Sequence, residues 1–278
     1  RANGFLPNAI HFGVVPDPEG ERVGNGGAML GAMRYVAEHS GRSDFRNLKT
    51  MVLLSSGDSR RVPQYSAMGK VFSPVPRELP NGRPSTLFDE MMMTMIGVPQ
   101  KTNHGMLILS GDVMLAFDSD QIPDNLDEAF AIAFPEPAKM GANHGVFLNN
   151  EYGYIAKVWH KQKAEVLGSY GAVDNEGCVN IDTGAVFFTA KMLENLYRLI
   201  CNDKGQCTQE SFHQIVNNEI APSLYVDFFY PLAAESTFDG YMAEKPEGHM
   251  SSELIKMRES VWHILRPFRI RLLRLELS

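Results

Sequence analysis

Apolar residues along this chain come in two rhythms. Short unbroken runs, Met51 to Leu54, Gly105 to Leu109, Ala129 to Phe134 and Val179 to Phe188, read as strands buried on both faces. Between them, apolar residues fall three and four apart. Met29, Leu30, Met33, Val36 and Ala37 share one helix face, and Ser85 to Gly97 is a helix with Ser85 as N-cap and Leu87, Phe88, Met91, Met92 and Met95 in its body. Lys191 to Ile200, Gln209 to Asn217 and Leu224 to Ala234 are further helices. Ala9 to Val15 is strand-like and runs into the turn cluster Pro16 to Gly20, and a hairpin pairs Asn143–Phe147 with Gly153–Trp159. This alternation predicts a three-layer α/β core around a mainly parallel sheet, with the strands near Met51, Met106 and Ala129 adjacent. Last come an amphipathic helix, Ser251 to Leu265, and a segment alternating Ile270, Leu272, Leu273, Leu275 and Leu277 with Arg269, Arg271 and Arg274. The expected organisation is one domain over 1–248 and a linker helix with a basic segment over 249–278.

Composition narrows the class. The chain has 278 residues, 44% apolar and 21% charged, enough for one large soluble domain. A net charge of −7 disfavours nucleic acid and anionic membrane as partners, so an anionic substrate must meet a local basic cluster. The three cysteines, Cys178, Cys201 and Cys207, show no C-x-x-C spacing, which points to a reducing, cytoplasmic setting. No run approaches the roughly 18 apolar residues of a membrane span, and the first residues carry no signal-peptide pattern. A start at Arg1 without Met leads to the expectation of a fragment or a processed piece.

Candidate chemistry gathers where strands end. After Met51–Leu54 the small residues Ser55 to Gly57 let a ligand approach the backbone, and Arg60 and Lys70 follow, a planar fork and a compact charge suited to a polyphosphate. A Walker-type loop is excluded, because Gln64 and Val71 stand where it needs Gly and Ser or Thr. Gly24, Asn25, Gly26 and Gly27 precede a helix and offer backbone N–H groups to an anion or a nucleotide edge; as a dinucleotide fingerprint the loop fails, since Met29 replaces the last small residue. Asp112 follows the second buried strand and a glycine, placed to hold Mg²⁺ with substrate phosphates. Asp227 lies in an apolar setting, where it either caps or salt-bridges, or joins Asp112 on the metal.

Several of these stretches resemble one family. Gly57, Arg60, Pro63 and Lys70 fall in register with the G-x-G-T-R-x-x-P…K loop of sugar nucleotidyltransferases, with Asp58 in place of the second Gly. The run His144-Gly145-Val146-Phe147, a hairpin, then Asn180-Ile181-Asp182-Thr183-Gly184 resembles the sugar-binding half, although His160 and Gln162 replace the Glu and Pro of the family's Glu-Lys-Pro corner. Glu244-Lys245-Pro246 imitates that corner and reads as a decoy. Taken together from Arg22 to Ala234, the stretches resemble the GDP-fucose pyrophosphorylase family. The resemblance implies a Rossmann-like core and transfer of GMP from GTP to L-fucose 1-phosphate with Mg²⁺, releasing pyrophosphate. It implies Arg60 and Lys70 as the catalytic cations, Gly24 to Gly27 with Gly57, Asp58 and Ser59 around the nucleotide, and Asp112 and Asp227 on the metal. The sugar phosphate would meet His144, Gly145, Lys161, Thr183 and Gly184. A following left-handed β-helix and, in bifunctional members, a sugar kinase would be partner modules. The alternatives are a GDP-mannose or UDP-sugar enzyme, a catalytically silent nucleotide-binding module and, by glycine pattern, a nicotinamide oxidoreductase.

Overall fold

The computed structural model describes residues 10–55, 63–66, 69–246 and 249–276. In chain order these give α1 (Gly24–Ser40), β1 (Lys49–Leu54), β2 (Pro74–Glu78), β3 (Pro84–Thr86), α2 (Leu87–Met95), α3 (Val98–Lys101), β4 (Gly105–Ser110) and β5 (Ala129–Pro137). Then follow the hairpin β6 (Gly145–Asn149) and β7 (Ile155–His160), α4 (Ala164–Ser169), β8 (Cys178–Thr189), α5 (Ala190–Tyr197) and α6 (Gln209–His213). A π-helix (Leu224–Phe229), α7 (Phe238–Ala243), α8 (Ser252–Leu265) and β9 (Ile270–Arg274) complete the order.

Local chemistry sets several boundaries differently from the sequence expectation. Helix α2 starts one residue late because Thr86, and not Ser85, makes the reciprocal capping box with Asp89. Residues 10–15 join no strand. The helix expected over Leu224 to Ala234 is a π-helix that passes into a 3₁₀ turn at Tyr230–Leu232, which contains Pro231.

The main sheet has the order β1-β4-β8-β5-β9, with the β6–β7 hairpin attached to β8. Strands β1 and β4 are parallel, as are β5 and β9, while β8 runs against both its neighbours. The strands are therefore mostly co-directional, but the expected adjacency of Met106 and Ala129 is corrected: β8 separates them. It does so by pairing with β4 on one edge and β5 on the other, and at twelve residues it is long enough to serve two partners on the first of these edges. Its second half pairs with β4 through Val186 to Thr189, and its first half pairs with β6 through Asn180 and Ile181. Between the two lies an unpaired step around Gly184, at φ +73.

Both faces of the sheet are buried, as near-continuous apolar strands require. One face packs Met106, Ile108, Ala131 and Val186 against α1, α5, α8 and the π-helix. The other packs Leu107, Leu109, Phe130 and Phe187 under α2 and the chain around Leu115 to Leu126. The C-terminal stretch belongs to this core: α8 buries Leu254, Met257, Val261 and Leu265, and β9 pairs with β5 from Ala129↔Ile270 to Ala133↔Arg274. The alternating segment thus packs on a strand of its own domain.

Candidate functional site

The parallel strands β1 and β4 end side by side, Leu54 opposite Ser110, and Gly111 N–H donates to the Leu54 carbonyl at 2.9 Å. A side chain at Gly111 would stand 2.5 Å from that carbonyl, so the turn demands glycine. Asp112 emerges directly beyond it. Ser110 Oγ donates to Asp112 Oδ1 at 2.8 Å, and Lys70 Nζ donates to Asp112 Oδ2 at 3.1 Å. Lys70 is brought there by a 3₁₀ turn that starts after Gly69, whose φ of +84 and contact with Ser55 leave no room for a Cβ. A cation and a carboxylate from two distant loops thus share one sheet edge.

Gly24 to Gly27, expected to precede a helix, instead form the first turn of α1, which reaches the same edge from the helical layer. Gly26 N–H donates to the Pro222 carbonyl at 2.9 Å, and Leu224 N–H donates to Asn25 Oδ1 at 2.6 Å, so this turn is tied to the head of the π-helix. Gly24 and Gly26 are needed because a Cβ would stand 2.5 Å from the Pro222 carbonyl and 2.6 Å from the Phe228 ring, respectively. Asn25, Leu54, Ser110, Asp112, Gly184 and Tyr225 line an open cavity of about 150 Å³. That volume holds only a part of a nucleotide-sized ligand.

Of the residues expected in a site, Asn25, Lys70, Asp112 and Gly184 come together here. Gly57, Asp58, Ser59 and Arg60 lie outside the described residues. Asp227 does not open onto the cavity: it is buried, its Oδ1 accepts from Arg258 Nε at 2.8 Å and its Oδ2 from Ser223 N–H at 2.6 Å. Of the two readings open for Asp227, this geometry is the salt bridge and cap. Among the described residues no three His, Cys, Asp or Glu side chains cluster as metal ligands. Asp112 alone, with hard oxygen donors and a half-exposed carboxylate, still fits Mg²⁺, which takes one or two carboxylates and completes its shell with phosphate and water oxygens.

The sugar-side residues lie on β8 and at the neighbouring end of the β6–β7 hairpin. The Thr183 hydroxyl is buried and donates to the Ile132 carbonyl at 2.7 Å, so it is used inside the sheet. His144 and Lys161 are exposed at the open end of the β6–β7 hairpin, where Lys161 N–H donates to the His144 carbonyl at 3.1 Å. A second cavity, of about 280 Å³, opens beside this end and includes Trp159, His160, Gln162, Tyr230, Glu235 and Glu244 in its wall. Glu244, read as part of a decoy, therefore stands against the corner that His160 occupies. Sequence reasoning also missed Ser110 and Tyr225 as cavity residues. Ser110 carried a signal as the last strand residue before Gly-Asp, whereas nothing local marks Tyr225.

The fold and site define a mixed α/β domain that presents a lysine–carboxylate pair at the carboxyl ends of parallel strands, where such sheets bind ligands. The chain matches the fucose pyrophosphorylase domain family over residues 43–278 and belongs to that family. It is 26% identical to a mouse fucose-1-phosphate guanylyltransferase over 94% of the chain and 47% of that protein, and 26% identical to the human one over 94% and 46%. A bifunctional fucokinase/GDP-fucose pyrophosphorylase of Arabidopsis thaliana is 27% identical over 77% of the chain and 23% of its own length. The chain thus spans under half the length of these relatives.

Proposed function

We propose that this chain transfers GMP from GTP to a sugar 1-phosphate, L-fucose 1-phosphate first among them, and releases pyrophosphate. The observation that carries the reading is the Lys70–Asp112 pair beside Asn25, at the edge where two parallel strands end, in a chain of this family. In such a transfer an oxygen of the sugar phosphate attacks the α-phosphorus in line and the bond to pyrophosphate breaks. No covalent intermediate is needed, so catalysis comes down to aligning two anions and stabilising charge. Lys70 would bind the α-phosphate or the incoming phosphate, and Arg60 would bind the leaving pyrophosphate. The backbone from Gly24 to Gly27 would face guanine or ribose, and Gly57, Asp58 and Ser59 would flank the phosphates. His144, Gly145, Lys161 and the Thr183–Gly184 backbone would face the sugar phosphate. Mg²⁺ bound by Asp112 would supply neutralising charge on the nucleotide phosphates.

Among the described residues no helix is long and apolar enough to cross a membrane. With three unpaired cysteines, this supports a cytoplasmic setting, in which a β-helix and a kinase module would be the partners in the whole protein. The test is pyrophosphate release from the four nucleoside triphosphates, each offered fucose, mannose, glucose and N-acetylglucosamine 1-phosphates. Selective turnover of GTP with L-fucose 1-phosphate is expected. Preference for UTP or for mannose 1-phosphate would overturn the substrate assignment, and GTP binding without turnover on any acceptor would identify a silent nucleotide-binding module.

A further inference from the structure

Two of the three cysteines lie outside the site described above and flank a single turn. Cys201 follows the 3₁₀ turn Arg198–Ile200 that ends α5, and Cys207 stands just before Thr208, the N-cap of α6. Between them the chain reverses. Asn202 N–H donates to the Gln206 carbonyl at 2.9 Å, and Gly205 N–H donates to the Asn202 carbonyl at 2.8 Å, with Gly205 at φ +73. The Asn202 side chain ties the loop from inside, its Oδ1 accepting from Lys204 N–H at 3.1 Å and from Gln206 N–H at 3.0 Å. A short loop that closes on a left-handed glycine is a hairpin connection, and Cys201 and Cys207 are the next residues out on its two arms. Residues facing each other one step outside a closing hydrogen bond have Cα atoms about 4.5–5.5 Å apart. A disulfide spans about 4.4–6.8 Å between Cα atoms.

Both thiols also meet one residue. Cys201 Sγ donates to the Tyr197 carbonyl at 3.2 Å, and the Tyr197 hydroxyl hydrogen-bonds Cys207. The two sulfurs are half-buried against the helical side of the core, while Asp203, Lys204, Gly205 and Gln206 are exposed and leave the turn open to a small reagent. The pair is uneven. Burial, and after it the neighbouring Cys207, push the Cys201 thiol up to about 11. Burial raises Cys207 as well, but Arg34 and the Tyr197 hydroxyl favour its thiolate, with Glu38 opposing them. Cys207 is therefore the readier of the two to ionise. Cys178 belongs to another region, at the start of β8 opposite Pro137.

We propose that Cys201 and Cys207 form a dithiol site that exchanges reversibly with small-molecule disulfides such as oxidised glutathione, closing an intrachain disulfide across the 202–206 loop. The Cys207 thiolate attacks one sulfur of the glutathione disulfide, a mixed disulfide forms and one glutathione leaves as thiolate. The Cys201 thiolate then attacks the Cys207 sulfur and expels the second glutathione. The two protein thiols give up two protons and two electrons, and one disulfide is reduced to two thiols. The bond would staple the end of α5 to the segment that backs α1, where a Cβ at Gly31 would meet Phe212 and one at Gly27 would meet Val216. Arg34 of α1 lies 4.8 Å over the Phe212 ring and donates to Gln209 at 2.9 Å. This site is independent of the sugar 1-phosphate reading.

Thiol counting and peptide mapping of the full chain after exposure to oxidised glutathione test it. The Cys201 and Cys207 thiols should disappear together, return on treatment with dithiothreitol, and leave Cys178 free. A tryptic digest run without reductant should show the peptides on either side of Lys204 joined. The rate should climb about tenfold per pH unit from about pH 7 to pH 9, as the thiolate fraction does. The oxidised protein should unfold about 4–8 °C above the reduced one. Cys207→Ser should abolish both the joined peptides and that rise, and Cys201→Ser should trap glutathione on Cys207 as a lasting mixed disulfide. Four results would each overturn the proposal: separate glutathione adducts on the two wild-type cysteines, a bond to Cys178, thiols that react in urea but stay free in the folded protein, or a link that lowers the thermal midpoint.

Discussion

Lys70 and Asp112 hold each other at 3.1 Å across two loops, so their roles separate only under turnover. Lys70→Ala should lower kcat by about 100-fold or more with a smaller change in KM, as expected for charge stabilisation realised in the transition state. Asp112→Asn should lower kcat comparably and flatten the dependence on Mg²⁺ concentration. A rate near wild type across a Mg²⁺ titration would remove Asp112 from the site. Arg60→Lys should not rescue the loss seen in Arg60→Ala, because an ammonium cannot reproduce the fork that holds two phosphate oxygens. Asp182 makes a separate prediction in pH. Its folded pKa, about 6, lies above the ordinary 3.8, so the stability it contributes is present below about pH 4 and lost as pH rises through 6. Asp182→Asn should therefore be more stable than wild type at pH 8, with the difference closing by pH 4 in urea titrations. Acids held low by a partner, such as Glu128 beside Arg271, slope the opposite way in both proteins and cancel from the comparison.

At the level of elements, the π-helix joins core and site. Its head binds Asn25, its Tyr225 lines the cavity, and its Asp227 is locked to Arg258 of α8 in full burial. Arg258 also donates to the Glu244 carbonyl at 2.7 Å, and the Tyr241 hydroxyl donates to the Asp227 carbonyl at 2.7 Å. Breaking one half of a buried pair leaves an uncompensated charge, so Arg258→Met should cost about 3–5 kcal/mol in denaturant unfolding. Asp227→Asn with Arg258→Met should recover part of that loss, a coupling that a metal-ligand role for Asp227 would not produce. This assembly was only partly legible in the sequence. The glycine loop, the Gly-Asp after a strand and the acid in an apolar run were visible because each breaks a local pattern. The partner of Asp227 was not, since Arg258 sits on a helix whose apolar stripe gives no sign that one of its cations points inward. The strand runs were legible for the same reason that their order was not: apolar continuity reports burial on two faces, but it says nothing about which neighbour fills the space between Met106 and Ala129. The alternation in Ile270 to Leu277 was legible as packing, while its partner, β5, lies more than a hundred residues away.

For the molecule as a whole, the position of β8 governs how the sheet can be completed. Its neighbours β4 and β5 both precede it in the chain and, among the described residues, are joined in the sheet through it. While the protein is being made, a nascent chain that has emerged only as far as Asp174 carries two apolar strands with facing, unpaired edges, and such edges invite pairing with other chains. A fragment ending at Asp174 should accordingly collect in the insoluble fraction on expression, whereas the chain through residue 276 should remain in the supernatant after centrifugation. The same arrangement makes the site a late product of synthesis. Gly184 can complete the cavity wall only once β8 has threaded between strands already released, so nucleotide affinity would be acquired after most of the polypeptide has left the ribosome.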